Sequence, residues 1–385
     1  MSSHKTRQFR PRPTDSSGRT IIYTDPNSFH PLIENMARFI ITTQPGIQID
    51  ATPEQNPDGW TECMVTPSIK REIMATPNFP QPLQRPSKTK YEIRSVEGRG
   101  LAMFATDHID VGELILCERP LLMAQAMARG QDVPVAVTDE LDPEAENDPE
   151  LVRQIIFQEK ERQLETLVGN MHPKFREQFM ALANSHEHDG SGPLFGRLRT
   201  NGFGAPGFFD LEGEDHPYSM VGNNISRINH SCCANTKFTF YRPSFGMELR
   251  ATRLIPQGAE ITIPYCDILK PYLDRQKALK LYGFSCDCPA CSDLFSSDQI
   301  RAVSVNSIGL ENDRATVEEV LGWMKRFEDF GLERSRQYIE CLRFLRDKYK
   351  DQGNLAEVKI YRNKLYKIVL ATIGKERVMA VMASL

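Results

Sequence analysis

Asn229-His230-Ser231-Cys232-Cys233-Ala234-Asn235 is the stretch on which the reading of this chain turns. It packs two adjacent thiols, an imidazole and two carboxamides into one short segment, which is a donor and acceptor pattern rather than a core pattern. Downstream, Cys286-Asp287-Cys288-Pro289-Ala290-Cys291 places three more thiols within six residues. Structural zinc asks for four soft ligands in a tetrahedron, at about 2.3 Å per sulfur. Three closely spaced cysteines can wrap one ion if a fourth comes from elsewhere, and Cys232 and Cys233 both qualify. Six of the nine cysteines fall between Cys232 and Cys291. Cys63, Cys117 and Cys341 stand alone and read as small buried apolar residues.

The rest of the chain bounds what such a site can serve. Its 385 residues exceed one small core and imply two or three domains. Hydrophobic content of 40% and charged content of 25% are those of an ordinary globular protein. A net charge of -4 argues against a dedicated nucleic-acid binder, so no direct nucleic-acid contact is expected. No apolar run approaches the roughly 18 residues of a membrane span, so no membrane partner is expected either. Met1-Ser2-Ser3-His4-Lys5 has no apolar run behind it, so no secretory signal is expected. That points to the cytosol or nucleus, where thiols stay reduced and bind metal rather than each other.

Along the chain, residues 1 to about 20 read as a flexible arm, with Arg7, Arg10, Arg12 and Arg19 among prolines. Residues 21–90 carry many prolines and read as an irregular extension, with a short helix over Leu32–Ile41. Short strands are expected at Tyr91–Ser95, Leu101–Ala105 and Glu113–Cys117, then at Thr236–Tyr241, Met247–Thr252 and Glu260–Ile263. The acidic run over 139–150 reads as a solvated loop and the first turn of a helix; the sharper reading is attraction of a basic substrate tail. Helix is expected over Leu151–Val168 and Lys174–Ala183. From about Asp313 apolar residues keep a helical period, and Asn354 with Glu357 forms a cap for the last helix.

Three segments in order resemble one family. Glu97-Gly98-Arg99-Gly100-Leu101 resembles the opening glycine motif of SET domains. Arg227–Asn235 resembles their Asn-His-Ser-Cys-x-Pro-Asn signature, with Ala234 in place of proline. Gly258-Ala259-Glu260-Ile261-Thr262-Ile263-Pro264-Tyr265-Cys266-Asp267 resembles the Gly-x-Glu-x-Thr-x-x-Tyr-x-Asp signature, and the cysteine tail sits where a post-SET segment belongs. Tyr282-Gly283-Phe284-Ser285-Cys286 and the helical end look most like the SMYD subfamily. The insert that carries a MYND zinc finger in that subfamily has no cysteine here, so that finger is expected to be absent.

The resemblance implies an α+β protein: a SET-domain fold of small β-sheets with a helical insert, a zinc-binding post-SET segment and a helical C-terminal extension. The expected division is an N-terminal arm and extension at 1–90, a SET domain at 91–270 with its insert at about 125–199, a zinc segment at 271–295 and helices at 296–385. It implies transfer of a methyl group from S-adenosylmethionine to a lysine side chain of a protein substrate, histone or non-histone. Gly98, Arg99, Gly100, Leu101, Asn201, Asn229, His230, Tyr265 and Phe284 would contact the cofactor. Tyr265 would be the catalytic residue and Tyr282 a wall of the lysine channel. Cys232, at the signature's cysteine position, would complete the zinc set with Cys286, Cys288 and Cys291. A non-catalytic scaffold that binds a partner through the C-terminal helices is the alternative; the presence of Tyr265, Asn229 and His230 weighs against it.

Overall fold

The computed structural model describes residues 21–35, 37, 39–47, 51–125, 148–205, 208, 218–305, 315–374 and 378. In chain order the strands are β1 (Ile22–Tyr23), β2 (Ile40–Gln44), β3 (Thr61–Val65), β4 (Tyr91–Val96), β5 (Gly100–Ala105), β6 (Leu114–Glu118), β7 (Leu122–Gln125), β8 (Phe203–Gly204), β9 (Tyr218–Val221), β10 (Asn229–His230), β11 (Thr236–Tyr241), β12 (Gly246–Ala251) and β13 (Glu260–Ile263). The helices are α1 (Pro31–Glu34), α2 (Pro67–Met74), α3 (Pro149–Gly169), α4 (Pro173–Met180), α5 (Pro193–Asn201), α6 (Tyr272–Leu279), α7 (Pro289–Ser292), α8 (Leu294–Val305), α9 (Val317–Asp329), α10 (Arg336–Asp351) and α11 (Leu355–Ile373). Among the described residues, no helix is long and apolar enough to cross a membrane.

The chain forms two compact units, neither continuous in sequence. The first comprises residues 1–83, 118–226 and 242–246. Its six-stranded sheet runs β1-β2-β3-β7-β9-β8. Helices α3, α4 and α5 bring Phe157, Leu164, Phe175, Phe179, Phe195 and Leu198 into one core with Ile41, Met64, Leu122 and Val221 of the sheet. Helix α5 starts at Pro193 without a side-chain cap of its own. Glu161 of α3 supplies one instead, accepting from the Leu194 and Phe195 N–H groups at 3.0 and 2.7 Å.

Residues 21–90 are therefore not an irregular extension. Helix α1 stops after Glu34, and the expected helix over Leu32–Ile41 gives way to β2. Ile40, Ile41, Thr42 and Thr43 are β-branched and stiff at χ1, which favours the strand. Ile40, Ile41 and Thr42 are buried, so both faces of β2 are covered. The acidic run lies largely outside the described residues; from Asp148 on it caps and opens α3, with the Asp148 carboxylate accepting from the Glu150 and Leu151 N–H groups.

The second unit comprises residues 84–117, 227–241 and 247–385. It holds a four-stranded sheet, β10-β13-β5-β4, and a three-stranded one, β11-β12-β6. The helices expected at 296–385 belong to the same compact unit as these strands, and α11 packs on β11. A Cβ on Gly331 would come 2.6 Å from Cys233 Cα, and Lys367 of α11 pairs with Asp110 at 3.1 Å. Helices α9, α10 and α11 close over Phe327, Cys341, Leu342, Leu345, Leu365 and Ile368. Asn354 caps α11 by accepting from the Glu357 N–H at 3.3 Å.

Candidate functional site

The signature segment is placed by the sheet of the second unit. Strand β10 runs parallel to β13, with Asn229 opposite Thr262 and His230 opposite Ile263. Asn235 then ties the two segments again. Its Oδ1 accepts from the Thr262 N–H at 2.8 Å, and its Nδ2 donates to the Glu260 carbonyl at 2.8 Å. Thr236 Oγ1 donates to the Thr262 carbonyl at 2.7 Å. The two motifs, some thirty residues apart, are thus clamped side by side.

Glu260 does more than sequence reasoning assigned to it. One carboxylate oxygen accepts from Asn229 Nδ2 at 3.0 Å, and the other pairs with Arg99 Nη1 at 3.0 Å. All three motifs therefore meet at one carboxylate. Arg99 sits at the tip of the β4–β5 hairpin and remains more than half exposed. Gly98 and Gly100 flank it at φ +71° and +69°, a backbone that only glycine adopts without strain. A Cβ at either would meet nothing within 4 Å, so the tip borders open space. Leu101 follows and is exposed.

His230 and Tyr265 face each other across the strand pair. The Tyr265 N–H donates to His230 Nδ1 at 2.9 Å, which leaves the ring proton on Nε2, 3.3 Å from Cys232 Sγ. Burial lowers the imidazole to about 4 against the opposing pull of Cys288, so the ring is neutral. The Tyr265 hydroxyl donates to the Ile228 carbonyl at 2.7 Å. Burial, with Tyr282 and Glu260 adding to it, raises this phenol well above its ordinary range. It is a neutral hydrogen-bonding group and not a strong base. Tyr282 packs against it with ring centroids 4.7 Å apart. Phe284 lies edge-on to Tyr265 at 6.4 Å and tilted against His230 at 6.0 Å. Gly283, between the two aromatic residues, has φ +77°, which is what turns the chain there.

Asn201, a further expected cofactor contact, is held by its own neighbourhood. It lies in the first unit at the end of α5, and both amide protons are taken by the Ala183 and Arg197 carbonyls at 2.7 and 2.8 Å. Both bonds hold the side chain at the end of α5.

Cys232, Cys286, Cys288 and Cys291 come together with all four sulfurs within 4.8 Å of one another. Cys232 and Cys291 are 3.6 Å apart. A tetrahedral tetrathiolate at ordinary zinc–sulfur lengths needs about 3.8 Å between sulfurs. The donor set and its spacing can thus hold zinc, with Cys232 rather than Cys233 in the quartet. Gln276 fixes the first tail cysteine through two bonds, accepting from the Cys286 N–H at 3.0 Å and donating to its carbonyl at 2.8 Å. Arg275, fully buried, and Arg301, 1% exposed, flank the cluster. Sequence reasoning missed both, because a lone arginine in a charged helix reads as a surface residue.

With this geometry in view, residues 100–266 match the model of the SET domain family. Curated proteins similar to this chain include named lysine methyltransferases. N-lysine methyltransferase SMYD2-B of Xenopus laevis is 38% identical over 102 residues, 26% of this chain and 22% of that protein. Histone-lysine N-methyltransferase set5 of Schizosaccharomyces pombe is 27% identical over 203 residues, 52% of this chain and 50% of its own length. The chain therefore spans between about a fifth and a half of these two relatives. The solved SET domain of LSMT, bound to lysine and AdoHcy, covers 77% of this chain and 87% of its own at 14% identity; its TM-score of 0.29 adds no weight.

Proposed function

We propose that the protein transfers a methyl group from S-adenosylmethionine to a lysine side chain of a protein substrate. The observation that carries this is the Tyr265 phenol. It is held by the Ile228 carbonyl next to Asn229 and His230, with Tyr282 and Phe284 against it.

When bound, S-adenosylmethionine supplies an electrophilic methyl carbon on a sulfonium. Asn229, His230 and Phe284 would hold it, with Arg99 meeting its carboxylate at the glycine turn. The substrate amine must arrive neutral, because an ammonium has no lone pair. A narrow, partly dry channel beside Tyr282 and Phe284 would disfavour the ammonium, and its proton would pass to water before attack. The methyl would pass to the amine lone pair, with the C–S bonding pair leaving on sulfur. Tyr265 orients the amine: its proton is committed to Ile228, so its oxygen lone pairs remain available to accept from the incoming nitrogen. Positioning of this kind is the largest contribution open to such a site.

Cys232, Cys286, Cys288 and Cys291 would hold a structural zinc ion, which clamps the strand of Asn229 and His230 to the tail carrying Tyr282 and Phe284. A metal-thiolate site of this kind suits a reducing compartment, cytosol or nucleus. The helices α9 to α11 would serve as a docking surface for a protein partner.

The test incubates the full chain with methyl-labelled donor and a fractionated cell extract. Label should enter protein, and Tyr265→Phe should lower incorporation by about 100-fold or more. Absence of donor binding by calorimetry would sink the proposal.

A further inference from the structure

We infer that Arg301 and Arg275 are the counter-ions of a negatively charged zinc–thiolate cluster, and so positioning residues that set how tightly the cysteine quartet holds its metal. This rests on the reading of the quartet as a zinc site.

The argument begins with charge. Four thiolates around one Zn2+ leave about two net negative charges. Three of the four sulfur ligands, Cys232, Cys286 and Cys291, belong to buried residues. Buried charge persists only when it is paired and hydrogen-bonded.

Arg301 has the complementary defect. Its Nε donates to the Ile268 carbonyl at 2.6 Å and its Nη1 to Ser297 Oγ at 2.8 Å. Its Nη2 donates to the Cys232 carbonyl at 3.0 Å and to the Phe330 carbonyl at 3.4 Å. Every one of these acceptors is neutral. Among the described residues, no carboxylate lies within ion-pair distance of this buried guanidinium. Its hydrogen bonds are satisfied and its charge is not.

Arg275 reaches the cluster from the other side. Its Nη2 lies 4.0 Å from Cys291 Sγ and 3.5 Å from the Ala290 carbonyl. Its Nη1 donates to the Lys270 carbonyl at 2.7 Å and pairs with Asp298 at 3.1 Å. Its Nε is buried and without a hydrogen-bond acceptor. Asp298 already offsets part of this charge, so Arg301 carries the larger share.

Four neutral thiols would leave Arg301 without a charged partner and Arg275 with Asp298 alone. Thiolates around a cation balance them. The two guanidinium groups also divide the work. Arg301 grips the carbonyl of the strand-borne ligand Cys232, and Arg275 approaches the tail-borne ligand Cys291. Metal binding needs deprotonated sulfur, so a fixed positive field favours the metal-loaded state.

The test measures metal, not methylation. Zinc content and affinity, by competition with a chromogenic chelator, are compared for the full-length wild type, Arg301→Met, Arg301→Lys and Arg275→Met. Arg301→Met should weaken zinc binding by about 10–100-fold, the usual effect of losing a partner to a metal ligand. Arg301→Lys should restore most of the loss, and Arg275→Met should fall between. In the cobalt-substituted protein, the sulfur-to-metal charge-transfer band should shift in Arg301→Met and return in Arg301→Lys. Equal affinity for Arg301→Met and wild type would overturn the inference. So would equal losses for Met and Lys, which would mean packing and not charge. Should Arg301→Met fail to fold, the decision passes to Arg275→Met, where unchanged affinity is the overturning result. Wild type without zinc would instead remove the zinc reading itself.

Discussion

Around Phe157 and Phe179 the first unit buries twenty apolar side chains in one cluster. Around the signature of the second unit the corresponding cluster has five buried members, and three of them are cysteines. Each large apolar side chain in the first contributes about 1.5–3 kcal/mol by leaving water. Leu279, Ala290 and three thiols supply far less apolar area than twenty such side chains. The first core is therefore assembled from many small, replaceable contributions. The second, around Cys232, depends on one interaction that is present in full or missing.

That contrast can be broken most sharply at Cys288. Cys288→Ala should release zinc and abolish methyl transfer, although Cys288 touches neither donor nor amine. Hydrogen exchange should accelerate over 229–301 and stay slow over 157–198. Uniform loss of protection would show that the two regions are not independent. Next in size is Phe179→Ala, which empties a fully buried site in the first core. It should cost about 3–5 kcal/mol in denaturant unfolding, while the folded fraction keeps its zinc.

The smallest expected effect concerns pH. Glu333 is 5% exposed, and burial raises its carboxyl to about 7 despite Arg253 at 3.2 Å. Between about 4.5 and about 7 the folded chain then holds a proton that the unfolded chain has released. Stability contributed by this group should therefore fall as pH rises through that window, by on the order of 1 kcal/mol or more. Glu333→Gln should flatten the slope, as read from unfolding midpoints at several pH values. An unchanged slope would assign the dependence to other groups.

Much of the second unit is legible in the sequence. The hairpin Tyr91–Ala105, the strands from Thr236 to Ile263 and the Asn354 cap are local features, set by alternation, turn glycines and capping chemistry. The quartet was legible because thiols are rare and their spacing is informative. What escaped was non-local. Nothing near Ile40 reveals that β2 is covered on both faces, because a strand's own residues do not show what packs on them. The motif around Asn201 likewise does not show that its amide protons go to the Ala183 and Arg197 carbonyls. Glu260 was read as one letter of a signature, yet Arg99 and Asn229 both converge on it.

Gly331 carries a consequence for how this chain can vary. Its φ of +69° disfavours any side chain, and the first carbon of one would lie 2.6 Å from the Cys233 backbone. The clash is with main chain, so no choice of rotamer relieves it. A random mutation library should therefore return glycine alone at this position, even though Gly331 is remote in sequence from every motif. Cys233 beside it should tolerate serine or alanine, since what Gly331 approaches is its backbone. Sequence drift would then read as inverted: the cysteine free to change, the loop glycine frozen.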